Sequence, residues 1–570
     1  MRRFKALLAA LAISACVSRE AQSPATPTVS SGNLALAFDS VSATTLLEHT
    51  KLLASDEYEG RAPGTHGGEL AVAYLSKQFQ TSGLLPGNPD GTWFQRVPAV
   101  GFTPQATFSI RTATGDRLLR WPEEYVVRSR QLQPKVGVDA SEMLFVGYGI
   151  EAPQHEWDDY KGVDVRGKTV VVLDGEPLEV AKGEPAGPPR TLLGGPNQSW
   201  YGTRAHKYEV AAGKGAAAVL VVHEGEDAAR TWSSIQAATT RESFEIRPRT
   251  ATERVSIEGW IARPAFEAIC ASAGATLETL KAASTSKAFR PLPLNAAASI
   301  SVESALREIE SYNVVARVAG SDPVLKDELV VYTAHWDHLG RDSARAGDQI
   351  HNGAIDNAAG VAQLLEIAEG FAQLAPAPRR SVLFIATTLE EKGYLGAKYY
   401  VQNPLYPLAT TAANINLDAC NVWGRTIDVN NLGYGRTSID ALLGEAARRQ
   451  HRNFVTEPFA GGEYFFLSDQ IEFAKVGVPA VFPGSGSTYV GKPDGYGDEK
   501  WSDYGSNRYH QVSDEVEEDW DLSGAVEDAQ WMLEVGYAIA QADAMPTWTP
   551  SDEFELAHVK APGQISRAHR

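Results

Sequence analysis

ELVVYTAHWDHLG, residues 328–340, decides how the rest of the chain reads. Glu328–Ala334 is an apolar, β-branched run of strand length. It stops at His335-Trp336-Asp337-His338, so imidazole and carboxylate gather where the strand would end. In open α/β sheets, sites form outside the carboxyl ends of strands. Working outward, Asn313–Val318, Arg380–Thr387, Ala413–Leu417 and Ala480–Phe482 read as further strands. Ala358–Leu374, Tyr394–Val401, Ser438–Arg449 and Leu522–Ala540 read as helices. That alternation predicts an α/β fold, a three-layer α/β/α domain with a mixed, mostly parallel sheet.

Ahead of this region, Thr45–Ala54 and Glu69–Gln80 carry helical spacing, with a Gly-rich link at 59–65 between them. From about 140 to 300 the character changes. Strands at 144–149, 168–173 and 217–223, a Pro- and Gly-rich loop at 176–195 and a helix at 205–212 make a small separate unit, a β-rich α/β domain. The expected organisation is a signal peptide at 1–15, a flexible tether at 16–40, an N-terminal part of the main domain at 41–135, an inserted domain at 136–300, the catalytic domain at 301–545 and a tail at 546–570.

The 570 residues are too many for one hydrophobic core. With 43% hydrophobic and 22% charged residues the composition is that of a globular protein. A net charge of −19 argues against a nucleic-acid partner, and three cysteines exclude a disulfide scaffold. Arg2, Arg3 and Lys5 precede the apolar stretch Ala6–Ile13, as in a signal peptide. Ile13-Ser14-Ala15-Cys16 resembles the lipobox of bacterial lipoproteins, which implies a lipid on Cys16, attachment to a membrane and export to the periplasm or cell surface. Removing residues 1–15 takes away three basic and no acidic residues, moving −19 to −22. Cys270 and Cys420 are then buried thiols or a disulfide, a packed free thiol being preferred for Cys420.

The residues that carry chemistry follow the strands. His335 and Asp337 follow Glu328–Ala334. Asp356-Asn357 opens the long helix. Glu390-Glu391 follows the 380–387 strand, Asp418 follows the 413–417 strand, and Tyr509-His510 precedes the last helix. Imidazoles and carboxylates at neighbouring strand ends are the ligand chemistry of zinc. In an extended segment Glu390 and Glu391 diverge, so one can bind a metal while the other faces a water. Asp337 falls on the same side as His335, placed to orient that imidazole or its neighbourhood. His338 reads as structural or solvent-facing. Asp158-Asp159-Tyr160 reads as a solvated turn, and His206, Tyr208 and His223 as packing or loop residues.

These motifs, with Asp56-Glu57-Tyr58-Glu59-Gly60-Arg61, Gly64-Thr65, Phe145-Val146-Gly147-Tyr148-Gly149, Ser468-Asp469 and Gly477-Val478-Pro479-Ala480, resemble the zinc exopeptidases of metallopeptidase family 28 in the form with an inserted protease-associated domain. Many members carry His after the Ser-Asp pair, where this chain has Gln470. The resemblance implies two zinc ions: His335 and Asp418 on one, Glu391 and His510 on the other, Asp356 bridging. It implies Glu390 as general base toward a water held by the ions, Tyr509 as a donor to the developing oxyanion, and a peptide as substrate. An aminopeptidase is the preferred reading, with a carboxypeptidase or a non-catalytic peptide-binding lipoprotein as alternatives. Glu463 and Asp469 are candidates to seat an α-amino group, Arg425 and Arg508 a carboxylate.

Overall fold

Strand Leu329–His335 sits at the centre of the larger lobe, with Ser381–Thr387 parallel on one side and Thr411–Asn416 parallel on the other. Ala480–Val481 extends the sheet parallel to Thr411–Asn416, and Leu292–Val318 closes the opposite side antiparallel. The structure is a computed structural model and describes residues 31–178, 190–193, 198–225, 231–248, 254–456 and 464–555. The expected signal peptide, Cys16 and Glu463 lie outside the described residues.

Both faces of this sheet are apolar, and the two-residue period of a strand sorts them. Val330, Tyr332 and Ala334 join Val382, Phe384 and Ala386 against helices Gly360–Ala372, Ile439–Arg449 and Ser523–Gln541. Leu329, Val331, Leu383 and Ile385 face helices Leu395–Gln402 and Gln470–Lys475 on the other side. The result is the three-layer, mostly parallel α/β arrangement. The connection from Leu329–His335 to Ser381–Thr387 runs through the helix on the first face. The next connection runs through Leu395–Gln402 on the second face and returns to the far side of the central strand. That reversal opens a crevice at the carboxyl end of Leu329–His335.

A second lobe carries its own sheet. Lys135–Phe145, Thr169–Leu173, Ala218–His223 and Ile257–Ala262 run parallel, with Tyr125–Arg128 antiparallel at the edge. Phe94–Thr112 and Leu292–Val318 are long enough to belong to both lobes, and residues 94–112 pair with 314–296 without a break. The expected boundary at 300/301 therefore falls inside a strand. Phe108, Ile110, Leu119, Tyr125 and Val127, all before residue 136, lie in the core of the second lobe.

Three other readings change. Asp159 and Tyr160 are buried rather than solvated: Asp159 accepts from the main chain of Tyr148 and Ile150 and from Trp157 Nε1. The segment expected as a tether ends in helix Ser31–Ser40, whose Leu34 and Ala37 are buried. The tail after Pro546 docks, with Trp548 and Phe554 buried beside Phe465 and Phe466. Cys270 and Cys420 are both free and buried. Among the described residues no helix is long and apolar enough to cross a membrane.

Helix Ala43–Leu53 is fastened to the core through a buried acid. Ser42 donates its backbone N–H to Glu366 Oε2 at 2.7 Å, and His49 Nε2 lies 3.8 Å from Glu366 Oε1. Burial pushes the Glu366 carboxyl up to about 7. The folded chain thus holds this proton more tightly than the unfolded chain, where a Glu titrates near ~4.3. The stabilisation is complete below that lower value and is lost as pH rises through the higher one. Glu366→Gln should therefore melt above the parent protein at pH 8, with the gap closing toward about pH 4 in a thermal-shift series. A gap that stays constant across the series would contradict this.

Candidate metal centre and active site

His335 closes the central strand in register with Thr387, while Thr333 is in register with Asn416 on the other side. The three loops beyond these strand ends, the turn before Gly360–Ala372 and the turn at 508–514 converge on one point. At that point stands Asp356. Its Oδ1 lies 3.3 Å from His335 Nε2 and its Oδ2 3.1 Å from His510 Nε2. Asp418 Oδ1 is 3.1 Å from the same His335 nitrogen, and Glu391 Oε2 is 3.1 Å from the same His510 nitrogen. Two donor groups thus share a single carboxylate, one oxygen each. Glu390 is buried beside the first group, its Oε2 3.9 Å from His335 Nε2.

The donor set fits zinc. At bond lengths of about 2.0–2.1 Å, tetrahedral donors stand roughly 3.3 Å apart, close to the 3.1–3.3 Å found here. Electrostatics agree. Burial alone would lower both imidazoles, yet the carboxylates hold His335 well above its ordinary value and His510 up at about 10. Burial alone would raise Asp356 and Glu391, yet the histidines facing them hold both below the usual range. Acids that load their neighbouring imidazoles with protons will exchange those protons for divalent cations. Glu390 is different. Burial, with the charges of Asp418, Glu391 and Asp469 adding to it, pushes its carboxyl well up. Adjacent in sequence, the two glutamates are held in opposite directions.

The geometry of Glu390-Glu391 has another origin than the extended chain expected for it. Leu389 takes positive φ, and Glu390–Lys392 forms a short 3-10 turn. Asp337 acts through a different atom than its spacing implies. His335 Nδ1 pairs with the backbone carbonyl of Asp337 at 3.0 Å, while the Asp337 carboxylate accepts the backbone N–H of Glu390 at 3.0 Å. Asp337 therefore orients the imidazole with its main chain and Glu390 with its side chain. Tyr509 is half-exposed, its ring stacked on His510 at 3.9 Å.

His338 is a correction. It is fully buried, with Nδ1 2.6 Å from Glu391 Oε1 and 3.9 Å from Asp356 Oδ2, and Nε2 lacks a hydrogen-bond partner. Gly353 makes this possible. It adopts positive φ, and a Cβ there would come within 2.5 Å of the His338 ring. Alternation along a strand sends 335 and 337 one way and 338 the other, but the strand ends at His335 and the argument ends with it.

Further residues brace the ligands from behind. Buried Arg61 donates to the carbonyls of Leu53, Trp336, Asn352 and Gly353 at 2.6–3.0 Å, tying the His335 loop to the Asp356 turn. Asp514 accepts the backbone N–H groups of Ile355 and Asp356 and the hydroxyl of Tyr504. Asn357 brackets Asp418, donating to Leu417 O and accepting from Ala419 N. Asp469, weighed for the substrate amine, is instead fully buried behind the base and accepts from Thr387 Oγ1.

His338 touches Glu391 and Asp356, and Arg61 ties the loops that carry the candidate ligands, so their loss should show first in affinity. His338→Ala and Arg61→Lys should each weaken zinc binding about 10- to 100-fold in a competitive-chelator titration. Arg61→Lys should also lower the melting temperature, since one ammonium cannot satisfy four carbonyls spread across the fork. Unchanged zinc affinity in both variants would contradict the bracing role.

Residues 313–533 match Peptidase family M28. A stretch of 129 residues, 23% of this chain, is 30% identical to a vacuolar membrane protease of Lachancea thermotolerans, and 135 residues are 30% identical to a vacuolar membrane protease of Candida dubliniensis. These matches cover 12% and 13% of those proteins, so the chain spans about an eighth of the length of the curated relatives it matches. Among solved structures, an aminopeptidase from Aneurinibacillus sp. strain AM-1 aligns over 90% of this chain and 97% of its own, at 17% identity and a TM-score of 0.46. A zinc aminopeptidase from Bacillus subtilis aligns over 87% and 94%, at 16% identity and a TM-score of 0.39. The stretch that matches Peptidase family M28, residues 313–533, holds Asp356 and the histidines and carboxylates gathered around it.

Proposed function

We propose that the protein is a di-zinc aminopeptidase that removes residues from the N-terminus of peptides. The observation that carries this reading is Asp356, whose two oxygens each face a separate histidine–carboxylate group. His335 and Asp418 would hold one ion, Glu391 and His510 the other, and Asp356 both. Zinc bound there would polarise the scissile carbonyl and lower the pKa of water. The chain's own residues do the rest. Glu390, buried beside the His335 group, takes the proton of the attacking water on its carboxylate and passes it to the leaving amine. Asp337 holds the backbone of Glu390 while this happens. Tyr509, on the open side of the site, donates its hydroxyl to the developing oxyanion.

The aminopeptidase direction is our reading, supported by the engagement of both candidate guanidiniums. Arg425 pairs with Glu527, and Arg508 with Asp503 and Glu517, so neither candidate guanidinium is held in reserve for a substrate carboxylate. We read the second lobe as the protease-associated domain of this form of the family, and Cys16 as the lipidated first residue of an exported protein. Incorporation of labelled palmitate, abolished by Cys16→Ala, is the expected result for the anchor.

The activity is tested with one peptide in three forms: free at both ends, N-acetylated and C-amidated. Mass spectrometry should show residues leaving the N-terminus, with acetylation alone protecting the peptide. Protection by amidation instead would make the enzyme a carboxypeptidase. Glu390→Ala should retain zinc yet lose about 10²–10⁴-fold in kcat, and near-normal turnover would remove Glu390 as the base.

A further inference from the structure

The second lobe reaches the turn that carries Glu390. Strand Ser243–Glu245 pairs with residues 100–102 of the ribbon between the lobes and ends in a fully buried carboxylate. Glu245 Oε1 lies 3.1 Å from Lys398 Nζ and 3.1 Å from an Arg254 nitrogen, and Oε2 lies 3.2 Å from Arg130. Arg130 and Arg254 belong to the second lobe. Lys398 does not: it sits in helix Leu395–Gln402 of the catalytic lobe, which begins five residues after Glu390. Surrounded by three cations, the Glu245 carboxyl is held down to about 2 although burial opposes it. It stays an anion.

The next residue adds an apolar contact at the same place. Ile246 is buried with Val97, Ala99, Leu389 and Leu395. Leu389 and Leu395 flank the Glu390-Glu391 turn on either side, and the backbone N–H of Leu395 donates to the carbonyl of Leu389 at 3.0 Å, closing it. Leu389, Gly393 and Tyr394 all have positive φ. A turn that places two non-glycine residues, Leu389 and Tyr394, at positive φ persists only where its surroundings hold it. On one side those surroundings are the sheet end and Asp337; on the other they are Ile246 and the Glu245–Lys398 pair.

We propose that Glu245, acting through Lys398 and beside Ile246, is a positioning residue for the Glu390-Glu391 turn, so that the second lobe sets the geometry of the base. The proposal rests on Glu390 being that base. It assigns the second lobe a part in the chemical step in addition to any part in choosing substrates. A base moved by a fraction of an ångström loses rate while the substrate and metal contacts made by other loops persist.

The test uses the full chain loaded with zinc, with kcat, KM and bound zinc measured for each variant. Lys398→Met removes one partner from a carboxylate that keeps two others, so the fold should survive. It should lower kcat about 10- to 100-fold with KM and zinc content within about twofold of the parent. Lys398→Arg should restore most of the loss, and Ile246→Ala should reproduce the loss from the apolar side. Lys475→Met serves as the control. It breaks a second ion pair between the lobes, with Glu209 at 2.8 Å, on helix Gln470–Lys475 rather than on the base turn, and it should leave kcat near the parent value. Unchanged kcat in both Lys398→Met and Ile246→Ala overturns the proposal. So does an equal loss in Lys475→Met, which would show general loosening of the lobes. Full activity in Glu390→Ala overturns the assignment of the base instead, so the two failures are told apart.

Discussion

Four carboxylates and three imidazoles within a few ångströms of one another, most of them buried, constitute the constraint around which this molecule is organised. Like charges at such distances repel, and burial removes the water that would screen them. The mutual repulsion is offset by the imidazoles: the carboxylates hold His335 and His510 above their ordinary values, and the histidines hold Asp356 and Glu391 below theirs. The loops cannot choose this arrangement on their own account. They are held in it by groups that grip main chain: Arg61 on four carbonyls, Asp514 on two N–H groups, Asn357 on either side of Asp418, Asp337 on Glu390. Each grips backbone beside a ligand, so the ligand side chains stay available for metal.

This division of labour explains what the sequence disclosed. The central strands were legible because they are apolar on both faces, and a run such as Leu329–Ala334 admits few other readings. The site residues were legible because they follow those strands. The residues that grip backbone were not. Arg61 lies 274 positions before His335, and nothing in its neighbours tells a guanidinium that will meet four carbonyls from one that will meet water. His338 was left between structural and solvent-facing, because nothing next to it in sequence shows that Glu391, 53 positions on, will meet its ring. Asp159 looked solvated because a pair of aspartates before a tyrosine is usually a surface turn, whereas here one of them accepts from two backbone N–H groups and an indole.

The division into lobes was legible in outline only, for a reason that bears on mechanism. Leu292–Val318 carries Ser, Glu and Arg through its middle, where it crosses between the lobes with consecutive residues 305–308 in solvent. Those residues read as a break between domains, yet the strand continues. Its residues 296–314 pair with Phe94–Thr112 without a break, a ribbon that couples the two sheets through an unbroken ladder of backbone hydrogen bonds.

A ribbon alone leaves two lobes able to rock about its axis. What restrains them is placed away from it: the Glu245–Lys398 pair and Ile246 on the base turn, and Trp200 with the Lys475–Glu209 pair beside Phe466 and the docked tail residue Phe554. The first contact bears on the turn holding Glu390 and Glu391. The second bears on helix Gln470–Lys475 and the docked tail. Burying an ionised carboxylate against three cations contributes little net stability compared with apolar packing of the same volume. Its value lies in direction, because a desolvated ion pair tolerates few geometries where an apolar contact tolerates many. The second lobe touches the catalytic one with its most directional contact next to the residue whose position chemistry constrains most tightly.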